Sequence, residues 1–344
     1  MRKIFDPALG ILLLSFAGCK PHHLSYTQNG NWVNRADFSG IAVGEAAVFV
    51  IADKAYVGTG VDPSHPNFRM NAMYAFEPSG NGGWSQVADF PGTPRNAAVG
   101  FTVGDLGYIA TGYDGSQPLN DCWAYDPAAN SWTQRASISD NTRSYPRYDG
   151  IGFGIGNFGY VATGYSGTSS LSDLWQYDPQ KDEWIERRGM GKKRASAICM
   201  VYQDRAYLFG GSNNGKLLSD GWVFDPTLPD SVSWTELNHI TNYTDQGFDD
   251  AYSNLTRNNA VAFVIGSKGY LTTGNSGTLN SNTWEYDFAK DSWQPKTPFY
   301  GSSREGAVGF SVSGRGYVAT GYNGSAGFDD TWEFRPEEVQ NLNE

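Results

Sequence analysis

The chain has 344 residues, and 25 Lys and Arg against 36 Asp and Glu give it a formal net charge of -11. That balance argues against a nucleic-acid role, which needs a basic face, and no stretch after residue 20 is long and apolar enough to span a membrane. Its 42 glycines and 15% aromatic residues suit short strands joined by tight turns.

The N-terminal segment reads differently from the rest. Arg2 and Lys3 precede an apolar run from Ala8 to Phe16, and Ala17-Gly18-Cys19 closes it. The run is too short for a spanning helix and fits a secretory signal. Its end resembles the lipobox of bacterial lipoproteins, with Phe16 where Leu is more usual and Asp6 an awkward neighbour. That resemblance implies cleavage before Cys19, acylation of its thiol, and anchoring in the cell envelope, facing the periplasm or the cell surface. The alternative is an ordinary cleaved signal with an incidental Cys. The division is then a signal at 1–18, a lipidated Cys and polar tether at 19–30, a repeat domain at 31–336 and a C-terminal tail at 337–344. His22 and His23 fall in the tether with no other metal ligand nearby in sequence.

One phrase then recurs six times. Tyr56-Val57-Gly58-Thr59-Gly60 is followed by Tyr74-Ala75-Phe76-Glu77-Pro78 and Trp84. Gly107-Tyr108-Ile109-Ala110-Thr111-Gly112 leads to Trp123-Ala124-Tyr125-Asp126-Pro127 and Trp132. The same order returns from Tyr160 to Trp184, from Tyr207 through Gly210-Gly211 to Trp234, from Tyr270 to Trp293, and from Tyr317 to Trp332-Glu333-Phe334. The period of roughly 50 residues is that of a propeller blade. Each copy holds four strand signals: a small-residue apolar strand, a strand carrying the Tyr and ending at Thr-Gly, a third with the Trp-x-Tyr pattern, and a fourth opened by a Trp. Pro after the third strand suits a turn, since it has no N–H to donate. The sixth copy has no closing Trp, whereas Trp32 stands unpaired ahead of the first. The N-terminal strand around Trp32 is therefore expected to complete the sixth blade and leave no open seam. Cys122 and Cys199 lie in different repeats, which predicts two buried thiols rather than a disulfide framework.

An Arg stands 13 residues before the second-strand Tyr in five repeats, as Arg95, Arg147, Arg194, Arg257 and Arg304; Val43 takes that place in the first. Length varies elsewhere. The fourth-to-first connection grows at Trp132–Arg147 and Trp234–Arg257, and the second-to-third connection grows at residues 61–70. In a four-stranded antiparallel blade both kinds emerge on one face, and loops on a rigid scaffold are where binding usually sits. Tyr113, Tyr165, Asn275 and Tyr322 follow the Thr-Gly pairs on that face, and the long loops add Tyr148 and Tyr252. Rings among amides and carboxylates suit a sugar or a protein surface, though the Asp-Gly and Ser-Gly pairs beside them read as turn chemistry. The arginines, at the head of the innermost strands, would either bind a ligand carboxylate or satisfy backbone carbonyls between blades.

Across residues 31–336 these motifs resemble the kelch family, departing from it in having Thr-Gly where a Gly-Gly doublet is usual, except at Gly210-Gly211. The resemblance implies an all-β fold, a six-bladed propeller of four-stranded blades. The family includes a copper radical oxidase of the galactose oxidase type, which needs two His, two Tyr and a Tyr–Cys crosslink. Only His65 and His239 remain beyond the tether, so no metal site or cofactor is expected. A six-bladed sialic-acid mutarotase is also similar in blade number and arginines, and would call on a carboxylate such as Glu45 or Glu305. Sialidase turn signatures, a nucleophile elbow, a P-loop and zinc-spaced His are absent from the sequence. The expectation is a monomeric, non-catalytic propeller that binds a glycan or protein ligand on its loop face, with mutarotase-type chemistry as the alternative.

Overall fold

A computed structural model of the chain describes residues 29–140 and 142–342. The signal, Cys19 and most of the tether lie outside them. Six four-stranded antiparallel sheets surround a central channel. Blade 2 is typical, with strands Val99–Val103, Leu106–Ala110, Cys122–Asp126 and Ser131–Arg135 in sequential order. The first strands run beside the channel and carry alternating burial: Val99, Phe101 and Val103 point into the sheet packing, Gly100 and Thr102 toward the axis. Crowding at the axis demands small residues. A Cβ on Gly100 would meet the Val48 carbonyl oxygen at 2.1 Å.

Aromatic residues hold neighbouring blades together. Phe101 stacks on Tyr108 within blade 2, with centroids 5.0 Å apart, and the pair meets Tyr177 and Trp184 of blade 3. A similar four-ring packing recurs at the next interface, where Phe153 and Tyr160 meet Phe224, which in turn packs on Trp234. Six separate hydrophobic clusters result, each lying between two blades rather than inside one. The fourth-strand Trp adds a polar tie: Trp184 Nε1 donates to the Ala136 carbonyl at 2.8 Å, and Trp132 does the same to Ala88 at 3.0 Å.

Closure follows the Trp count. Asn31–Arg35 pairs antiparallel with Thr331–Arg335, Trp32 opposite Phe334, as the outer strand of blade 6. Trp32 is fully buried against Phe299 and Phe334 and donates to the Thr297 carbonyl at 3.2 Å. Residues 337–342, set apart by the sequence as a tail, fold onto this strand. Gln340 exchanges two hydrogen bonds with the Trp32 backbone, and Gly30 donates to the Glu338 carbonyl.

At the loop face a ring of backbone bonds closes the disc. Glu45, Ala97, Asp149, Ser196, Asn259 and Gly306 each donate an N–H to the carbonyl of the equivalent residue in the preceding blade, at 2.7 to 3.2 Å. Glu45 to Gly306 joins the first blade to the last. All six residues have φ between 49° and 62°, in the left-handed region, which five of them enter without being glycine. Left-handed backbone also explains the Thr-Gly departure. Thr111 at φ 64° stands where Gly210 stands in blade 4, so the doublet's first glycine is replaced by a β-branched residue in the same conformation. Cys122 is buried as expected; Cys199 instead turns its side chain to the channel, and both are free thiols.

Since Trp32 fills the last interface and anchors both chain ends, Trp32→Ala is expected to cost about 3–5 kcal/mol. Urea unfolding checks it: a midpoint unchanged from the wild type would mean that the ring does not depend on this strand.

Candidate functional site

The arginine ring is framework. Arg95, Arg147, Arg194 and Arg304 are 0% exposed, and each is claimed from within its own blade. Arg147 Nη1 and Nη2 meet both oxygens of Asp173 at 2.7 Å, while Nη1 also reaches the Thr163 carbonyl. Arg95 holds Asp121 in the same fork, Arg304 holds Asp330, and Arg194 holds Asp220 through Nη2. The aspartate stands two residues before the third-strand Trp and takes its indole N–H too, as Asp173 does from Trp175 at 2.8 Å. Arg257 is buried as well, against carbonyl oxygens only. Such forks are the strong geometry of charge pairing, but they point inward. The reading of these five as ligand-binding residues at the channel mouth is corrected: all are buried within their blades, and in Arg95, Arg147, Arg194 and Arg304 an aspartate already takes the guanidinium. Tyr252 is corrected likewise, because its long loop folds back and buries the ring beside Trp284 while its hydroxyl accepts the Trp293 N–H at 2.5 Å.

The other five predicted residues do converge. One residue beyond the Arg position, a second ring of short bridges joins Asn96 to Tyr113, Tyr148 to Tyr165, Asn258 to Asn275 and Glu305 to Tyr322. The residue after each Thr-Gly is thereby drawn to the channel mouth. Tyr113, Tyr148 and Tyr165 form a ladder with centroids 5.0 and 5.5 Å apart, and the Arg69 guanidinium lies 5.1 Å from the Tyr113 ring. The neighbouring turns are self-satisfied, as anticipated: Asp114 accepts from Ser116 and Gln117, and Asn275 from Gly277.

Inside this rim, a recess of about 140 Å³ is lined by Glu45, Ala97, Asp149, Ser196, Asn259 and Gly306, and leads into a channel cavity of about 570 Å³. Glu45 accepts from Asn96 at 2.5 Å and from the Tyr322 hydroxyl at 3.1 Å. Glu305 is held loosely, by Asn259 and Asn275 at 3.4 Å, which leaves it acceptor capacity. Asp149 was not singled out by the sequence reading. Burial pushes its carboxyl up to about 7, the Glu45 charge adds to the effect, and a hydrogen bond from Ser196 opposes it. The Tyr322 hydroxyl is raised chiefly by burial and further by Glu45 and Glu305. Asp149 was discoverable: counting two residues past each Arg would have aligned it with Glu45, Ser196 and Asn259. Among the described residues no His, Cys, Asp and Glu side chains gather into a metal-holding group. His65 pairs with Asp62 at 2.8 Å and His239 stacks on Tyr243.

Of the exposed large apolar side chains, Ile41, Phe68, Tyr243, Phe248 and Tyr300 sit on connections of the loop face, whereas Ile185, Val201, Leu228, Val232, Val339 and Leu342 lie elsewhere. The mouth is therefore an acidic, amide-rich opening with a tyrosine ladder at one side and an apolar outer rim.

Known proteins share parts of this architecture. A family model described as Kelch motif matches residues 94–138 and 160–191. The leucine-zipper-like transcriptional regulator 1 homolog of Drosophila melanogaster is 22% identical over 220 residues, 61% of this chain and 21% of that protein. Kelch-like protein 23 of Homo sapiens is 31% identical over 121 residues, 35% of this chain and 21% of its own. N-acetylneuraminate epimerase of Pasteurella multocida (strain Pm70) is 31% identical over 110 residues, 30% of this chain and 27% of its own. The chain thus spans about a fifth of the first curated relatives. The solved structure of YjhT superposes with a TM-score of 0.69 at 16% identity, covering 86% of this chain and 95% of that one; at that identity the likeness speaks for the fold.

The mouth gives one pH-dependent expectation. Asp149 keeps its proton in the fold to about 7, against 3.8 ordinarily, so between those values the folded state binds more protons and stability falls as pH rises. Asp149→Asn removes that loss. It is expected to melt above the wild type at pH 8 and level with it at pH 4, by thermal unfolding; a constant offset at both pH values would refute the shift. By its sheets the chain is a six-bladed β-propeller, and residues 94–138 and 160–191 match the kelch motif.

Proposed function

We propose that this propeller is a non-catalytic binding protein whose channel mouth takes a hydroxyl-rich ligand, a neutral or amine-bearing glycan. The observation that carries the reading is the joining of the Tyr113–Tyr148–Tyr165 ladder to the acceptors Glu45, Asp149 and Glu305 around one recess. Aromatic faces stack on the C–H faces of sugars while carboxylates and amides take their hydroxyls. The electrostatics favour neutral over acidic sugars, because the carboxylates repel an anion and the buried arginines offer it no fork. That weighs against the mutarotase-type alternative, which calls for a hold on a sugar carboxylate. A protein ligand is the second reading, supported by the apolar rim from Ile41 to Tyr300 and by the kelch-like relatives.

A thermal-shift and glycan-array screen of neutral, amine-bearing and acidic sugars tests the first reading. A neutral or amino sugar is expected to raise the melting temperature with concentration. Tyr148→Ala should then weaken that ligand about two- to tenfold, the worth of a stacked ring. Silence across the panel would overturn the glycan reading and leave the protein-ligand one.

We propose further that the chain is exported and held at a membrane by a lipid on Cys19, supported by the small residues that precede it and the short apolar run. Cys19→Ser is expected to move the protein from the membrane fraction to the soluble one. Equal partition of variant and wild type would remove the anchor.

A further inference from the structure

The five buried arginines are not equivalent. In blades 2, 3, 4 and 6 one carboxylate oxygen sits where two donors meet, the arginine Nη2 and the indole N–H. Asp121 Oδ2 is 2.8 Å from Arg95 and 2.9 Å from Trp123. Asp220 Oδ2 is 2.7 Å from both Arg194 and Trp222, and Asp173 and Asp330 repeat the arrangement. Blade 5 keeps both donors, as Arg257 and Trp284, but has Asn282 in place of the aspartate.

The consequences are visible at the guanidinium end and at the indole. Arg257 is 2% exposed and Trp284 3%. The guanidinium Nη1 turns to the carbonyls of Thr273 at 2.7 Å and Asn282 at 3.2 Å, and Nη2 to that of Asn254. Trp284 Nε1, the donor that the sibling blades give to the aspartate, makes no hydrogen bond within the protein; Arg257 Nε makes none either, as is also true of Arg194 Nε in blade 4. Asp249, the buried carboxylate of the preceding loop, is engaged through Oδ2 by the backbone N–H groups of Tyr243 and Thr244 at 2.9 and 2.8 Å, its Oδ1 having no partner, and it makes no bond to Arg257. Burial alone acts on the Arg257 guanidinium and lowers it to about 10, whereas Asp220 partly offsets the burial of Arg194. A full positive charge is thus enclosed among neutral dipoles, an arrangement that costs several kcal/mol unless a counter-charge joins it.

We propose that blade 5 binds a small monovalent anion, of halide size, where its sibling blades place an aspartate carboxylate, held by Arg257 and the Trp284 indole N–H. One negative charge matches the one guanidinium. The depth of the two donors excludes bulky organic anions, and a divalent anion would leave a net buried charge. Asn282 fits such an occupant, since an amide carries N–H donors that a carboxylate lacks.

The test is thermal unfolding of the purified full chain at constant ionic strength in sodium gluconate, chloride, bromide or sulfate. Chloride and bromide are expected to raise the melting temperature with saturation, by about 3 °C at a tenfold excess over the dissociation constant; gluconate and sulfate are not. Asn282→Asp brings back the internal carboxylate. It should melt higher than the wild type in gluconate and lose the halide increment. An equal halide response in wild type and variant, or none in the wild type, overturns the proposal. Should the variant not fold, bromide-soaked wild-type crystals decide: an anomalous peak within hydrogen-bond reach of Arg257 and Trp284 supports the site, and no peak there at saturating bromide overturns it.

Discussion

A blade of this protein has no core of its own. Its apolar face, built from a first-strand Phe and a second-strand Tyr, is covered only by the third-strand and fourth-strand rings of the next blade. Each unit therefore depends on its neighbour, and the dependence ends only when the circle does. A final blade lacking its outer strand would expose both a sheet edge and a hydrophobic interface at once. The recruitment of Asn31–Arg35, the fold-back of residues 337–342 and the Glu45-to-Gly306 bond all answer that one requirement at three different radii.

The buried arginines show how a repeat maintains itself near the axis. Second-to-third and fourth-to-first connections meet there and leave carbonyls with no strand partner. A guanidinium reaches several at once, and the aspartate before the Trp both neutralises it and fixes the indole. Burying such a pair contributes little net stability compared with apolar packing, but removing one member is costly. The pair's service is to hold the connections in register, and the mouth residues inherit their positions from it.

Much of the fold was legible because the repeat is an energetic unit and leaves a periodic trace. Trp32 is the clearest case: a missing Trp at one end and a spare one at the other specify a closure that joins residues about 300 apart. The arginines were legible as a ring with two readings, ligand or framework, since five identical residues at a fixed spacing look alike whether they serve a ligand or the chain. The deciding signal was present in Asp121, Asp173, Asp220 and Asp330, each two residues before a Trp, and was not paired with them. Tyr252 was misplaced because a long loop's length shows that it leaves the scaffold, not that it returns. The left-handed Thr111, Thr163, Thr273 and Thr320 could not be read either, because β-branched residues are the last expected there.

The six residues of the inner ring separate what the fold requires from what function is free to choose. Glu45, Ala97, Asp149, Ser196, Asn259 and Gly306 share one backbone conformation and one hydrogen-bond pattern, so the scaffold's demand on them is met by the main chain alone. Their side chains take no part in that backbone ring, and they are all different. Framework positions a few residues away, the arginines and second-strand tyrosines, barely vary. Where geometry is repeated and chemistry is not, the variation is not explained by folding. At this mouth it places two acids, an amide and a hydroxyl around a recess that a uniform ring of alanines would close as well, at the cost of burying Asp149 beside Glu45. Such a cost, borne on the axis rather than on a tolerant outer loop, marks the axis as the place where side-chain chemistry is not set by the demands of the ring.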